Sequence, residues 1–397
     1  MKKIFPVILF YFLSILAFAN DWEFGSGGEH IIPLKGSNMN IKKEKITLKL
    51  TPDGMLVNVK FTFDNPMAEN KIIGFVTPES GGNGAGPDPG EEKKRNRKPK
   101  PLKIKNFKTT VNGKEVKSNV ELLSNLLSKG VLDNNVIKEY IEKEKFFYNY
   151  VYYFNADFKQ GVNVIEHSYF YTGSYGVYQR YFEYVVTTIS KWKNKTVEDF
   201  EIEVHPGSYF VQLPYSFSWW DITKKINWEI VGKGKMVTIE PSYPYPNDKV
   251  SDENRHGAVY LKLDNGFVRC KTKNFSPNKD FYMTRMDNVL GLEYQFPEGK
   301  VQGYKFKDKY FEIAARGNGY GDTGFIKDYQ QDLNDKDLDI LRNYPYALAG
   351  YDFAKKDLKD YFSQFIWYSP VSKNVKIDSN YDIIIKAVDE IKTKRKK

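Results

Sequence analysis

Short runs of alternating apolar and polar residues, bounded by turn residues, recur along most of this chain with little helical spacing between them. Ile46, Leu48 and Leu50 alternate with polar residues in 41–50, and 55–63 alternates again after Pro52-Asp53-Gly54. Two such runs joined by Asp-Gly read as a β-hairpin with one wet face. Further strands are expected over 71–77, 102–116 (with an Asn112-Gly113 turn), 146–158, 162–171, 178–188 and 197–204. Residues 228–239 and 258–271 read as two more hairpins, turning at Gly232-Lys233-Gly234 and at Asn265-Gly266. Strands at this spacing predict an antiparallel β-sandwich body, not a parallel sheet. Helical spacing in 120–127 and 136–145 predicts a helical insertion near 118–145.

The pattern changes towards the C-terminus. Asn334 followed by Asp337 has the form of a capping box, and Leu338 and Leu341 begin an apolar stripe. Gly350 is placed to end that helix as its C′ residue, and Pro345 stands inside it. Leu358, Tyr361, Phe362 and Phe365 recur at i, i+3, i+4 and i+7, which predicts a second amphipathic helix. The fold class is therefore mainly β with a small all-α C-terminal module. The expected divisions are a signal peptide at 1–19, a β-sandwich-rich body at 20–286, divisible into two sub-domains, and a strand with a Gly-rich linker at 287–325. A helical module at 326–378 and a basic C-terminal helix or tail at 379–397 complete the chain. A mobile basic loop is expected at 79–101, which lacks apolar periodicity.

Lys2 and Lys3 precede an apolar run, Ile4 to Leu16, and Ala17-Phe18-Ala19 supplies a small-x-small cleavage pattern. The run is too short to cross a bilayer of ~30 Å at ~1.5 Å per residue. A cleaved signal peptide is expected, giving a periplasmic or extracellular protein with no transmembrane segment in its mature form. Aromatic residues make up 16% of the sequence, which excludes a wholly disordered chain. The single cysteine, Cys270, excludes a disulfide framework and reads as a buried apolar residue on a strand. The net charge of +10 suits an anionic polymer as neighbour.

Signatures of chemistry are sparse. Gly319 to Gly324 fits G-x-G-x-x-G after a strand expected at Tyr310 to Ala315, but no second parallel strand follows, so it reads as a linker. Ser276-Pro-Asn-Lys279 fits S-x-x-K without its partner motifs. The four histidines, His30, His167, His205 and His256, share no ligand spacing, and neither a metal site nor a cofactor is expected. Asp199, Glu201 and Glu203 alternate along a strand, and water-facing acids account for them better than a glycosidase pair. The basic stretches at 93–100 and 392–397 carry no interleaved aromatics, so no nucleic-acid role is expected. They are either solvated or in contact with anionic wall polymer or lipid head groups. Trp219-Trp220 and Tyr243-Pro-Tyr245-Pro246 are read either as stacking platforms or as core and edge aromatics.

Residues 341–370, LRNYPYALAGYDFAKKDLKDYFSQFIWYSP, resemble the YARHG domain family. The matching positions are Arg342-Asn343, Tyr346, Ala347, Gly350, Phe353, Leu358, Tyr361-Phe362 and Trp367-Tyr368 with Pro370. Leu348 and Ala349 stand where the family name places Arg and His. The resemblance implies a small exported module associated with the cell wall, and here one without the polar pair that chemistry would use. Residues 28–286 are similar to a family of exported bacterial β-rich proteins with no assigned activity, through HIIPLKGSNMNIKKEKITL, IIGFVTPE, VNVIEHSYFYTGS and YFEYVVTTISKWKNKTVEDFEIEV.

The expectation is an exported envelope protein without catalytic activity that binds or structures cell wall or surface polymer, peptidoglycan being the first candidate. The alternative is an envelope hydrolase whose catalytic residues are not recognisable in the sequence. Candidate binding residues are Tyr346, Arg342, Trp367, Tyr368, Trp219 and Trp220.

Overall fold

β2 (Asn40–Leu50) and β3 (Met55–Asn65) form the expected hairpin, closed by Thr51 and Gly54. In β3 the side chains of Met55, Val57, Val59, Phe61 and Phe63 are buried, while Leu56, Asn58 and Lys60 face outward. Burying one such large apolar side chain contributes about 1.5–3 kcal/mol, and this face carries five. The computed structural model describes residues 30–33, 38–77, 104–131, 150–218, 223–241, 257–320 and 324–397.

The hairpin lies inside a twelve-stranded sheet. One side of it continues through β9 (Gly161–Tyr171), β5 (Ile104–Val111) and β6 (Lys114–Val116). The other side runs through β12 (Val197–His205), β15 (Ala258–Phe275), β13 (Phe210–Pro214), β16 (Phe281–Met286), β11 (Gln179–Tyr184) and β10 (Ser174–Tyr175). β14 (Glu229–Ile239) pairs with β15 off this path. A four-stranded sheet, ordered β1 (His30–Pro33), β4 (Glu69–Thr77), β8 (Tyr150–Phe158) and β7 (Asn119–Leu122), covers the β3–β9–β5 region. Phe75 of β4 meets Tyr169 of β9 with ring centroids 5.3 Å apart, and Phe154 of β8 meets His167 at 6.0 Å. The body is thus mainly β, as its alternation predicts.

Several details differ from the sequence reading. β2 pairs with β12 in parallel, the exception in an otherwise antiparallel large sheet. Gly232-Lys233-Gly234 and Asn265-Gly266 are not turns. β14 and β15 run past them as long paired strands, with Gly232 opposite Gly266 and a bulge between Lys233 and Gly234. A Cβ on Gly266 would stand 2.0 Å from the Val231 carbonyl oxygen, so these glycines serve close backbone approach instead. Residues 119–122 are strand β7 and not helix, and α1 is confined to Leu123–Ser128. The remainder of that expected insertion, 132–145, lies outside the described residues, as do the expected signal peptide at 1–19, the expected loop at 79–101, Trp219-Trp220 and 243–246.

The strand expected at Tyr310 to Ala315 is helix α2 (Lys309–Tyr320). Asp308 caps it by accepting from the amides of Tyr310 and Phe311, each at 3.1 Å, and Phe311, Ala314 and Ala315 turn one face inward. Gly317 and Gly319 therefore lie in a helix and not in a linker. A Cβ on Gly317 would meet Ile326 of α3 (Gly324–Asp328) at 2.9 Å, so glycine lets these helices approach. α4 (Asp335–Leu348) begins with the expected capping box, and it runs through Pro345. α5 (Lys356–Phe362) and α6 (Asp382–Arg395) follow. Ile384, Ala387, Val388 and Ile391 of α6 are buried in the same core as Leu338, Leu341 and Phe362. That core also takes in Phe210, Val237, Ala258 and Tyr260 from the sheet, and Tyr260 meets Phe306 edge-on at 4.9 Å. Among the described residues no helix is long and apolar enough to cross a membrane.

Candidate functional site

α4 ends in a way that accounts for the motif it carries. The Gly350 amide donates to the Ala347 carbonyl and the Tyr351 amide to the Tyr346 carbonyl, each at 2.9 Å. Gly350 has φ +80°, and the Tyr346 and Tyr351 rings meet edge-on at 6.0 Å. This is a Schellman helix end with its apolar contact, so Tyr346, Ala347 and Gly350 are its scaffold. Leu348 and Ala349 occupy the last turn, where a cation would complement the helix dipole.

The candidate binding residues of the module divide by burial. Arg342 forms a forked ion pair with Asp389 of α6, at 2.7 and 3.3 Å, which ties α4 to α6. Tyr346 is half-buried against the core. Trp367 and Tyr368 stand inside the module and not on its surface. The Trp367 indole donates to the Phe306 carbonyl at 2.9 Å, and the Tyr368 hydroxyl donates to the Tyr351 carbonyl at 2.7 Å. Trp219 and Trp220 lie outside the described residues.

A polar network in this core escapes sequence reasoning, because its members are far apart in the chain. Asp308 accepts from the Tyr344 hydroxyl at 3.0 Å and the Tyr361 hydroxyl at 2.7 Å, and the two hydroxyls lie 3.0 Å apart. Tyr310 donates to Asp337, the capping-box carboxylate. Burial and the neighbouring Asp308 hold the Tyr344 and Tyr361 phenols far above their ordinary range, so both stay neutral donors. The network fastens α2, α4 and α5 together.

The outer face of the large sheet offers the open site. A groove of about 370 Å³ is lined by Lys45, Thr47, Asn58, Lys60, Lys108, Thr110, Glu115, Glu166 and Ser168 among others. Strand register arranges them in two rows. One runs Lys45, Lys60, Glu166, Thr110 and Glu115 across five strands, and the other runs Thr47, Asn58, Ser168 and Lys108. Beyond Lys45 the first row continues into Glu201 and Lys271, and beyond Thr47 the second continues into Glu203 and Arg269. The expected water-facing acids are here, and their charges are taken up by cations. Glu201 pairs with Lys45 and Lys271 at 3.3 Å each, Glu203 with Lys45 at 2.9 Å, and Asp199 with Lys273 at 3.0 Å. Lys60 pairs with Glu166 at 2.7 Å. The groove floor is thus hydroxyl and amide groups between fixed charges.

Further titratable groups are buried in the sheet, and one of them, His167, also borders this groove. Glu44 of β2 is 3% exposed, and burial pushes its carboxyl up to about 8 against a hydrogen bond with Tyr184. Burial pulls His167 of β9 down to about 3, among the rings of Phe61, Phe75, Phe107 and Phe154. Cys270 is buried on β15, its thiol pushed up to about 11, which makes it the inert apolar residue expected.

No curated protein matches the chain. Among solved structures, one Legionella pneumophila protein, named as a candidate nutrient-binding protein, superposes with a TM-score of 0.55 at 18% identity. The match covers 91% of this chain and 97% of that one, and it shows a shared fold. An aminopeptidase A of Legionella pneumophila in complex with aspartic acid aligns over 65% of this chain and 23% of its own, at 5% identity. Its TM-score of 0.26 is too low to relate the two. Residues 309–393 match the YARHG domain, a span that begins with α2 and ends within α6. Over residues 309–393 the chain is thus similar to the YARHG domain, and this helical region is joined to the β-rich body through a common core.

Proposed function

We propose that the chain is an exported, non-enzymatic binding protein of the bacterial envelope, and that it holds a polar wall or surface polymer along the outer face of its large sheet. The groove between Lys45 and Lys108 carries this reading. Its hydroxyl and amide floor suits the hydroxyls and amides of a glycan or peptidoglycan strand, and the exposed Lys108 at its rim suits that polymer's anionic groups. The shared fold with a protein named for nutrient binding, and the YARHG domain, support binding over catalysis. The YARHG domain acts as a scaffold in this reading, since its aromatic side chains are committed to its own core.

The test is retention of the full mature chain on purified peptidoglycan at two salt concentrations, with and without Asn58→Tyr, which fills the groove from an exposed position. Retention that the substitution abolishes supports the reading, and equal retention of both forms places binding elsewhere. Release of soluble wall fragments above buffer would make the chain a hydrolase instead.

A further inference from the structure

One cross-strand row at the opposite end of the large sheet carries an electrical imbalance. Tyr175 of the edge strand β10 lies opposite Arg180 of β11, and Arg180 lies opposite Arg285 of β16. Both guanidinium groups are buried, at 8% and 4% exposure. Like charges directly opposite each other oppose pairing, and a buried charge is costly unless it is matched.

Arg285 is matched. It forms a fork with Asp287 at 2.6 and 3.1 Å, donates to the Thr51 and Pro52 carbonyls at 2.6 and 3.2 Å, and lies 4.5 Å over the Tyr209 ring. Arg180 is not. Its Nη1 donates to the Pro52 carbonyl at 3.2 Å, and its Cζ lies 4.1 Å from the centre of the Tyr175 ring. Its Nε is buried with no hydrogen-bond partner, and no carboxylate among the described residues forms an ion pair with it. Of these two buried guanidiniums, only Arg285 is paired with a carboxylate, Asp287, among the described residues.

We propose that Arg180, covered by Tyr175 and backed by Arg285, is a binding site for an oxyanion, a carboxylate or phosphate group borne by a larger ligand. A planar guanidinium whose Nε has no partner matches the oxygens of such a group, and charge-assisted bonds of this kind are the strong ones. Tyr175 is 58% exposed and stands on the sheet edge, so its ring gives the ligand a flat surface beside the charge. The site is separate from the groove of Lys45 to Lys108 and uses none of its residues, so either can fail alone.

The experiment follows thermal unfolding of the full chain during titration with inorganic phosphate and, separately, citrate, at an ionic strength held constant with chloride. A saturable rise in Tm with either probe is expected, and the stronger of the two identifies the preferred oxyanion. Arg180→Gln should weaken the apparent affinity about tenfold or more, and Arg180→Lys should restore part of it. Tyr175→Glu supplies a carboxylate over Arg180 from an exposed position; it should raise Tm without any added anion and remove the response to both probes. No saturable rise in the natural chain, or an unchanged response in Tyr175→Glu, would overturn the proposal.

Discussion

The Lys235 ammonium on β14 donates to the Tyr368 carbonyl at 2.8 Å, across the boundary between the sheet and the YARHG domain. The same ammonium reaches the carbonyls of Phe365 at 2.8 Å and Ser363 at 3.1 Å. These carbonyls follow the end of α5, where helix carbonyls lack partners of their own and a cation is favoured. Ser369 adds a bond to Asp264 of β15. Lys235→Met keeps the stem and removes the donors, and it should lower stability by about 2–3 kcal/mol. Urea unfolding checks this, and a change within error would mean that the shared apolar core alone joins the two parts.

Trp367→Ala should destabilise the whole chain by about 3–5 kcal/mol, as for other buried aromatics, with the Phe306 carbonyl left unpaired. Because sheet residues share this core, calorimetry should show one transition shifted as a whole. A separate early transition, with the body melting unchanged, would contradict the shared core.

Gly350→Ala must place an alanine at φ +80° with its Cβ 2.6 Å from Val371 Cγ2. A cost of about 1–3 kcal/mol is expected from backbone strain. Val371 is exposed, so adding Val371→Ala should recover the steric part and leave the backbone part. Full recovery would show that φ at this position carries no cost.

Glu44 makes the body lose stability as pH rises through neutrality. Its carboxyl is raised from an ordinary 4.5 to about 8 when folded, so the unfolded chain ionises first as pH rises. The Glu44 contribution should be full below pH 4.5 and should decline by up to ~1.4 kcal/mol per pH unit until about pH 8. Glu44→Gln should flatten that limb of a stability–pH curve measured by denaturant unfolding.

His167 produces the opposite limb. Its folded value of about 3 lies below the ordinary 6.5, so its contribution is complete above pH 6.5 and is lost as pH falls towards 3. His167→Phe should abolish the acid decline from this group. An acid limb of unchanged slope would assign the loss to carboxylates instead.

Local pattern revealed most of the strands, because alternation records which face of a strand meets the core. It also revealed the capping box at Asn334 and the glycine that ends α4, both settled within a few residues. The glycines at 232 and 266 misled, since a tight turn and a close cross-strand approach ask the same backbone freedom of glycine. Residues 310–315 carry strand-like apolar residues, and what makes them helical is the cap from Asp308 with the packing of Phe311, Ala314 and Ala315. The groove and the Asp308–Tyr344–Tyr361 network were out of reach for a different reason. Each gathers side chains from positions tens of residues apart, and only strand register or helix packing decides which of them meet.

The parallel union of β2 and β12 fixes an order of events as the chain is made. Residues 40–65 emerge early as a hairpin, yet the strand that closes one of its edges is about 150 residues away, at 197–205, and the strand that closes the other begins at residue 161. Until then both edges present open hydrogen-bonding groups, a template for any passing strand. The lysines at 42, 43, 45 and 49 repel a second copy of the same hairpin during that interval. In the finished sheet Lys42, Lys43 and Lys45 have turned to Glu198, Asp199, Glu201 and Glu203. Charges that guard the newborn hairpin thus become the bonds that close it.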